Sequence, residues 1–199
     1  MRRFILNTLA TTALIASLST PGFVQAQIEI ISPSLMVIPW IHKIQQGDFR
    51  GAIEILNAAI KANPNDSQTY HNRSFCYFQL HIKLNGESQE VAKKSEYLDK
   101  ALIDAEQAIK LDPNNFFAWV NRGNVRTLRG DLRDGISDYT KAYIIIPLPT
   151  IVFSRGRALA RLGDKKAALA DFEEAAAQFK AQGRTALYQA TLDEIKQLR

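Results

Sequence analysis

The stretch that decides the fold is residues 119–131, WVNRGNVRTLRGD, because parts of it recur elsewhere in the chain. It places an arginine, Arg122, three residues after an aromatic residue, Trp119. Two other places share this arrangement of an arginine after an aromatic or aliphatic residue: Tyr70 with Arg73, and Val152 with Arg155. Recurrence of one short pattern indicates a chain that is built from internal repeats.

The spacing of small residues and prolines gives the repeat a length of about 34 residues. Pro113 and Pro147 are 34 residues apart, and Ala108, Ala142 and Ala175 follow one another at 34 and 33. Within a repeat, aromatic and small residues recur at spacings of three and four, which predicts helices with one packed face. Glycine–aspartate pairs predict a turn inside each repeat, and prolines predict its end. Each repeat is therefore predicted to be a helix–turn–helix pair.

A helical pair of this length and punctuation resembles the tetratricopeptide repeat (TPR) family. The residues that carry the resemblance are Trp119, Gly123, Gly130, Tyr139, Ala142 and Pro147 in one repeat, Gly156, Gly163, Ala168, Phe172 and Ala175 in the next, and Gly47, Asp48, Ala52, Ala59 and Pro64 in an earlier one. The resemblance implies an all-α fold, a right-handed superhelical stack of about four repeats over residues 27–182. The first half of repeat one matches poorly because it contains Pro39, and we predict a short or kinked helix there. Residues 183–199 have one apolar face and are predicted to form a C-terminal capping helix.

Repeat two carries an insertion. Pro64 and Pro113 are 49 residues apart, which is 15 more than one repeat length. Two extra turns on each of two helices would use about 14 residues, and apolar residues keep a helical spacing through the insertion. We therefore predict a projecting helical hairpin near residues 82–97 that turns near residues 85–88, where an Asn–Gly pair suits a turn. A flexible loop is the alternative.

The recurring arginine is predicted to form an ion pair between helices. It shares a helix face with the packed residue three positions earlier, and a buried guanidinium needs a partner. In repeats three and four an aspartate follows 16 residues later, and in repeat two 31 residues later, which is 16 plus the insertion. Repeat one has Pro39 and Ile55 at these positions, so both charges are missing together. The pattern leaves open whether a pair closes within its repeat or reaches the preceding one; the pairs are Arg73 with Asp104, Arg122 with Asp138, and Arg155 with Asp171.

The TPR resemblance implies a concave groove that is lined by the first helix of each repeat and holds peptides. The side chains that such a groove would present here are Asn72, Phe75, Gln79, Asn121, Asn124, Arg157 and Arg161. An amide can both donate to and accept from an extended peptide backbone, and the arginines suit an acidic partner. Some TPR proteins hold a C-terminal carboxylate with paired lysines and asparagines. This chain has Val37, His71 and Phe117 at the lysine positions, so that mode is not expected.

Signatures of catalysis are weak. His71, Cys76 and His81 follow one another at spacings of five, which rotates them around a helix instead of placing them on one face. This spacing suits neither a zinc site nor a nucleophile–base pair. The sequence contains no glycine-rich phosphate loop and no Gly-x-Ser-x-Gly turn. We expect no catalytic residues, no metal site and no cofactor.

Residues 1–26 have the layout of a secretory signal peptide. Arg2 and Arg3 precede an apolar run, and small residues lie just before a cleavage position after Ala26. The run is short for a membrane span, so no stable span is expected after cleavage; an uncleaved anchor is the alternative. We expect export to a periplasmic, lumenal or extracellular location. The apolar segment 28–44 is interpreted as a lid or as a contact surface.

The charge argues against a nucleic-acid partner. After cleavage, 23 Lys and Arg residues face 20 Asp and Glu residues, a net charge of about +3, which is too mild for a concentrated phosphate-binding face. A single cysteine, Cys76, excludes an intramolecular disulfide. We therefore expect an exported, non-enzymatic scaffold that binds a protein or peptide in its groove. The alternative is an accessory subunit of an envelope enzyme or of a secretion or assembly system that makes contact through the hairpin.

Overall fold

The computed structural model describes residues 39–84 and 91–199, with only the backbone described at residues 91 and 92. The predicted signal peptide, most of the apolar segment 28–44 and the predicted turn near residues 85–88 lie outside the described residues. Within the described residues all regular secondary structure is α-helical. The helices are α1 (Pro39–Gln45), α2 (Phe49–Ala62), α3 (Ser67–Lys83), α4 (Val91–Leu111), α5 (Phe116–Arg129), α6 (Leu132–Ile145), α7 (Pro149–Leu162), α8 (Lys165–Ala181) and α9 (Thr185–Leu198).

These helices pack in successive pairs, as the repeat predicts. The pairs α1–α2, α3–α4, α5–α6 and α7–α8 form repeats one to four, and α9 packs on α8. The prediction of an all-α chain of helix–turn–helix repeats is confirmed. The repeats fall into two compact bodies: an N-terminal body that ends at Asn121 and a C-terminal body from Arg122 to Arg199.

The glycine–aspartate pairs form the turns between the helices of a repeat. Gly163 has a φ of +91°, a left-handed conformation that glycine adopts without a steric penalty. The carboxylate of the following residue, Asp164, accepts a hydrogen bond of 3.0 Å from the backbone N–H of Ala167 and so caps α8. In repeat one, Asp48 caps α2 in the same way, at 2.9 Å from the N–H of Gly51. One dipeptide thus ends the first helix and begins the second.

Two glycines inside helices allow the paired helices of the C-terminal body to approach closely. A Cβ atom on Gly123 would lie 2.9 Å from Cε1 of Tyr139, and one on Gly156 would lie 2.9 Å from Cε1 of Phe172. Real Cβ atoms keep larger distances, so a larger residue would displace the aromatic ring. The ring of the second helix therefore fills the space that the glycine of the first helix leaves.

The core of the N-terminal body lies where α1, α2 and α3 meet. Helix α1 is seven residues long and has Pro39 as its first residue, a position where a proline is tolerated because the first N–H groups of a helix have no intrahelical acceptor. A short helix therefore stands where the sequence predicted a short or kinked one. The buried apolar residues of this core are Ile44, Phe49, Ala52, Ile53, Leu56, Phe75, Cys76 and Leu80.

The insertion in repeat two lengthens both of its helices. Helices α3 and α4 have 17 and 21 residues, whereas α5 and α6 have 14 each. Contacts join the two lengthened ends: the rings of Tyr77 and Tyr97 stack with centroids 6.1 Å apart, and Nδ1 of His81 lies 2.9 Å from the carbonyl oxygen of Lys94. The described part of residues 82–97 therefore continues the helical pair.

Helix α9 covers the last repeat. Leu187, Thr191 and Ile195 are buried, and Ile195 joins Phe172 of α8 in one apolar cluster. Lys196, on the opposite side, is exposed, as expected for the outer face of a capping helix. Among the described residues, no helix combines the length and the apolar content that crossing a membrane requires.

Candidate functional site

Three arginine–aspartate pairs join the two helices of repeats two, three and four. In each pair Nε and Nη2 of the arginine donate to the two carboxylate oxygens of the aspartate, the bidentate geometry that suits a guanidinium. The donor–acceptor distances are 2.7 and 2.7 Å for Arg73 with Asp104, 3.0 and 2.8 Å for Arg122 with Asp138, and 2.8 and 2.8 Å for Arg155 with Asp171. The carboxylate partner therefore lies within the repeat.

A further donor of the arginine reaches the preceding repeat. Nη1 of Arg73 donates to the side-chain oxygen of Asn57 on α2 at 2.7 Å. Nη1 of Arg155 lies 3.4 Å from the hydroxyl oxygen of Thr140 on α6. Both alternatives that the sequence left open are thus used: the carboxylate is in the same repeat, and a neutral oxygen comes from the one before it.

The pairs are structural by their burial and their electrostatics. Asp104 and Asp138 are each 2% exposed, and a carboxylate so far from water requires a charged partner. Hydrogen bonds from the carboxylates raise the pKa of Arg73 and Arg155, which keeps both guanidinium groups charged. Asp138 takes a second cation, since Nη1 of Arg126 lies 2.9 Å from its Oδ2. These groups are satisfied by one another and hold the helices together.

In the N-terminal body, the residues predicted to line a groove are buried and take part in packing. Nδ2 of Asn72 donates to the carbonyl of Gln68 at 2.8 Å, and Nδ2 of Asn121 donates to the carbonyl of His71 at 2.8 Å. Phe75 belongs to the core, with its ring edge-on to Phe49. Gln79 is also buried. The structure brings the first helices α3 and α5 together through the Asn121 amide.

A buried polar cluster around His71 was missed at the level of sequence. Nδ2 of Asn115 lies 2.7 Å from Oγ of Ser67 and 2.9 Å from Nδ1 of His71. The imidazole stacks on Phe117 at 5.0 Å, and its Nε2 has no hydrogen-bond partner among the described residues. Burial lowers the pKa of His71 to about 3, against the opposing charge of Asp66, so the ring is neutral. The available signal was that Asp66 and Asn115 precede equivalent helices.

In the C-terminal body, Asn124, Arg157 and Arg161 lie around one tyrosine. The hydroxyl of Tyr139 donates to Oδ1 of Asn124 at 2.7 Å. Burial raises the pKa of Tyr139, and the charges of Arg157 and Arg161 act in the opposite direction. Nη1 of Arg161 donates to the carbonyl of Thr127 at 2.9 Å. These three predicted groove residues therefore form one polar cluster on α5 and α7.

The His and Cys residues of α3 do not form a catalytic arrangement with one another. Cys76 is fully buried, and burial raises the pKa of its thiol, which disfavours the nucleophilic thiolate. His81 is partly buried and directs Nδ1 at the carbonyl of Lys94. Among the described residues no three His, Cys, Asp or Glu side chains lie close enough together to hold a metal ion.

The described helices define a helical-repeat protein, and comparison with known proteins gives the family. The tetratricopeptide repeat family model matches residues 40–66. No curated protein sequence matches the chain significantly. The chain carries a tetratricopeptide repeat and has the fold of the TPR proteins, with helix pairs matching those of solved TPR structures.

Three of these solved structures illustrate the likeness. TTC0263, a thermophilic TPR protein of Thermus thermophilus, matches with a TM-score of 0.68 and 19% identity over 86% of this chain and 91% of its own. A MamA double mutant matches with a TM-score of 0.59 and 16% identity over 89% of this chain and 94% of its own. The second TPR domain of human RPAP3, solved with an HSP70 peptide, matches with a TM-score of 0.50 and 21% identity over 64% of this chain and 98% of its own.

Proposed function

We propose that this chain is an exported, non-catalytic scaffold that binds an extended segment of a partner protein along the first helices of its repeats. The observation that carries the proposal is the division of each first helix into two sides. In α5, Asn124 follows Arg122 by two residues, a rotation of about 200°, and Arg157 follows Arg155 in the same way on α7. One side binds the second helix through an ion pair, and the other presents polar donors.

The ion pairs support this assignment because they fix the helices that carry the donors. Arg122 and Arg155 are each anchored by two hydrogen bonds to a buried carboxylate. A binding surface on rigid helices loses less conformational entropy when it binds a segment than one on loops. The peptide complex of the RPAP3 domain supports peptide binding at the level of the fold.

Export and the lack of catalysis are parts of the same proposal. The layout of residues 1–26 supports export. The buried thiol of Cys76 and the buried, neutral ring of His71 support a non-catalytic role, because neither is placed for nucleophilic or acid–base chemistry with an external substrate.

A second candidate is an accessory subunit of an envelope enzyme or of a secretion system that makes contact through repeat two. The observation that favours it is the length of α3 and α4, which exceeds that of the helices in repeat three. Lys93 is exposed in the first turn of α4, and Lys94 contacts α3 only through its carbonyl. The added turns therefore present charged side chains outside the helix pairing.

Photo-crosslinking of the full chain in its own cells tests both candidates. A photoreactive residue replaces Leu128 on the donor side of α5, Ile144 on the second helix α6, or Lys93 on α4; all three positions are exposed. We expect Leu128 alone to capture one protein, through a short contiguous segment that mass spectrometry identifies. Capture at Lys93 alone assigns function to repeat two. Equal capture at Leu128 and Ile144 would contradict binding along the first helices.

A further inference from the structure

The two bodies differ in charge. Residues 122–199 contain 14 Lys and Arg residues and 9 Asp and Glu residues, a net charge of +5. Residues 39–121 contain 9 Lys and Arg residues and 10 Asp and Glu residues, a net charge of −1. The positive charge of the mature chain therefore belongs to the C-terminal body, which also holds the polar cluster of Asn124, Arg157 and Arg161.

Asn124 is fixed so that it presents only hydrogen-bond donors. It is 5% exposed, and its Oδ1 already accepts from the hydroxyl of Tyr139 at 2.7 Å. No acceptor for its Nδ2 group occurs among the described residues. The buried tyrosine thus sets the orientation of the amide, and the NH₂ group remains as the donor for a ligand.

Arg161 is held in place without being neutralised. Its Nη1 donates to the carbonyl oxygen of Thr127 at 2.9 Å, and no carboxylate of the described residues lies within 4 Å of the guanidinium. The contrast is Arg155 on the same helix, which is neutralised by Asp171. The remaining N–H groups of Arg161 keep their full charge for an acceptor from outside.

Arg157 carries a weak internal partner. Its Nε lies 3.3 Å from Oε1 of Glu194 on α9, and the two side chains are 39% and 30% exposed. An exposed ion pair of this kind contributes only about 0–1 kcal/mol, so another carboxylate can replace Glu194 at little cost. Glu194 therefore marks the kind of group that this place accepts.

We propose that Asn124, Arg157 and Arg161 bind the side-chain carboxylates of an acidic segment of the partner protein. The three side chains offer donors and two positive charges and no free acceptor, a combination that suits carboxylates and rejects cations and lysine-rich segments. The inference rests on the proposed function, since it names the chemistry of the segment that the C-terminal body takes.

Fluorescence anisotropy on the full mature chain tests the inference with two matched probes. One is a labelled nine-residue peptide with four Glu and Asp residues in a Gly/Ser/Ala background, and the other carries Gln and Asn at those positions. We expect the acidic probe to bind at least about tenfold more tightly and to weaken as salt is added. Arg161→Gln is expected to weaken the acidic probe about tenfold, and Glu194→Gln to strengthen it by removing the competitor.

Arg133→Gln is the matched control, because Arg133 is an exposed cation on α6 outside the cluster; it is expected to leave the affinity unchanged, and thermal unfolding checks that each variant folds. Equal affinity for both probes, no binding of either probe, or equal losses with Arg161→Gln and Arg133→Gln would overturn the inference. Displacement of the acidic probe by millimolar inorganic phosphate as readily as by free peptide would also overturn it, in favour of a simple anion site. The crosslinking experiment at Leu128 stands apart from these outcomes, so binding of a neutral segment would survive.

Discussion

At the scale of single residues, each arginine of the repeat acts as a joint. Arg155 holds Asp171 of its own repeat with two hydrogen bonds and reaches Thr140 of the preceding one. It also lies over the ring of Tyr143, with its Cζ 5.4 Å from the ring centroid. The sequence predicted the carboxylate partner because the two charges recur at a fixed spacing. It could not predict the neutral partner, because Asn57 and Thr140 are different residue types that share only a place in space.

The joint predicts a large and non-additive loss of stability. Asp171→Ala leaves the Arg155 guanidinium half-buried without its anion, and we expect a loss of about 3–5 kcal/mol in the free energy of unfolding. The double variant with Arg155→Ala is expected to lose less than the two single losses together. Urea unfolding measures all four members of the cycle. Glu173→Ala is the control, since its pair with Arg199 is exposed, and a comparable loss there, or additivity in the cycle, would contradict the joint.

His71 predicts acid sensitivity. Burial lowers the pKa of His71 to about 3 in the folded state, whereas an unfolded histidine titrates near 6.5. The unfolded chain therefore binds the proton first, and stability falls by about 1.4 kcal/mol per pH unit as the pH drops below 6.5. Above pH 6.5 this histidine contributes no pH dependence. Urea unfolding from pH 8 to pH 4 measures the slope, and Asp66 is the charged group that acts on the ring.

His71→Gln is the comparison for the acid effect, because an amide can still meet Asn115 but does not titrate in this range. We expect the difference in unfolding free energy between wild type and variant to shrink steadily between pH 6.5 and pH 4. His81 has its pKa lowered by burial as well, so both chains keep some slope of the same sign. Parallel pH profiles would show that His71 takes up protons equally in the folded and unfolded states.

At the scale of helices, the close approach of α7 and α8 depends on Gly156. A glycine-to-alanine change inside a helix ordinarily stabilises it by roughly 0.5–1 kcal/mol. Here the new Cβ would lie 2.9 Å from Cε1 of Phe172 and 3.2 Å from Cβ of Asp171. Overpacking of this kind costs about 1–3 kcal/mol, so we expect Gly156→Ala to lower the unfolding free energy. Phe172→Leu, which shortens the facing ring, is expected to recover part of that loss in the double variant, measured by chemical unfolding. A stabilised Gly156→Ala chain would show that the helices can separate freely.

The sequence predicted these elements well where a local rule governs them and less well where a distant contact does. Gly163 with Asp164, and Gly47 with Asp48, mark helix ends through their own backbone and side chains. The amide of Asn121 was assigned to a groove from its helix face. Its partner, the carbonyl of His71, is 50 residues away in sequence, and spacing within one repeat contains no information about that contact.

At the scale of the whole molecule, repetition explains why the fold was predictable and the partner was not. The period of about 34 residues fixes which helices pair, because each repeat buries the same face against the next. Binding chemistry does not repeat: repeat three offers Asn124, whereas repeat four offers Arg157 and Arg161. The C-terminal body carries its positive charge on residues that break the pattern. Departures from the period are therefore where this chain's own specificity is encoded.

Helix α9 gives the last prediction, since the repeats need a cover at their end. Ile195 is 8% exposed and packs with the fully buried Phe172. A chain that ends at Ala181 would expose this apolar cluster to water, and we expect it to unfold at lower urea concentration and to self-associate in light scattering. Ile195→Asp in the full chain is expected to act in the same direction, while Lys196→Asp at the neighbouring exposed position leaves stability nearly unchanged. A truncated chain that stays monomeric with unchanged stability would mean that repeat four buries its own apolar face.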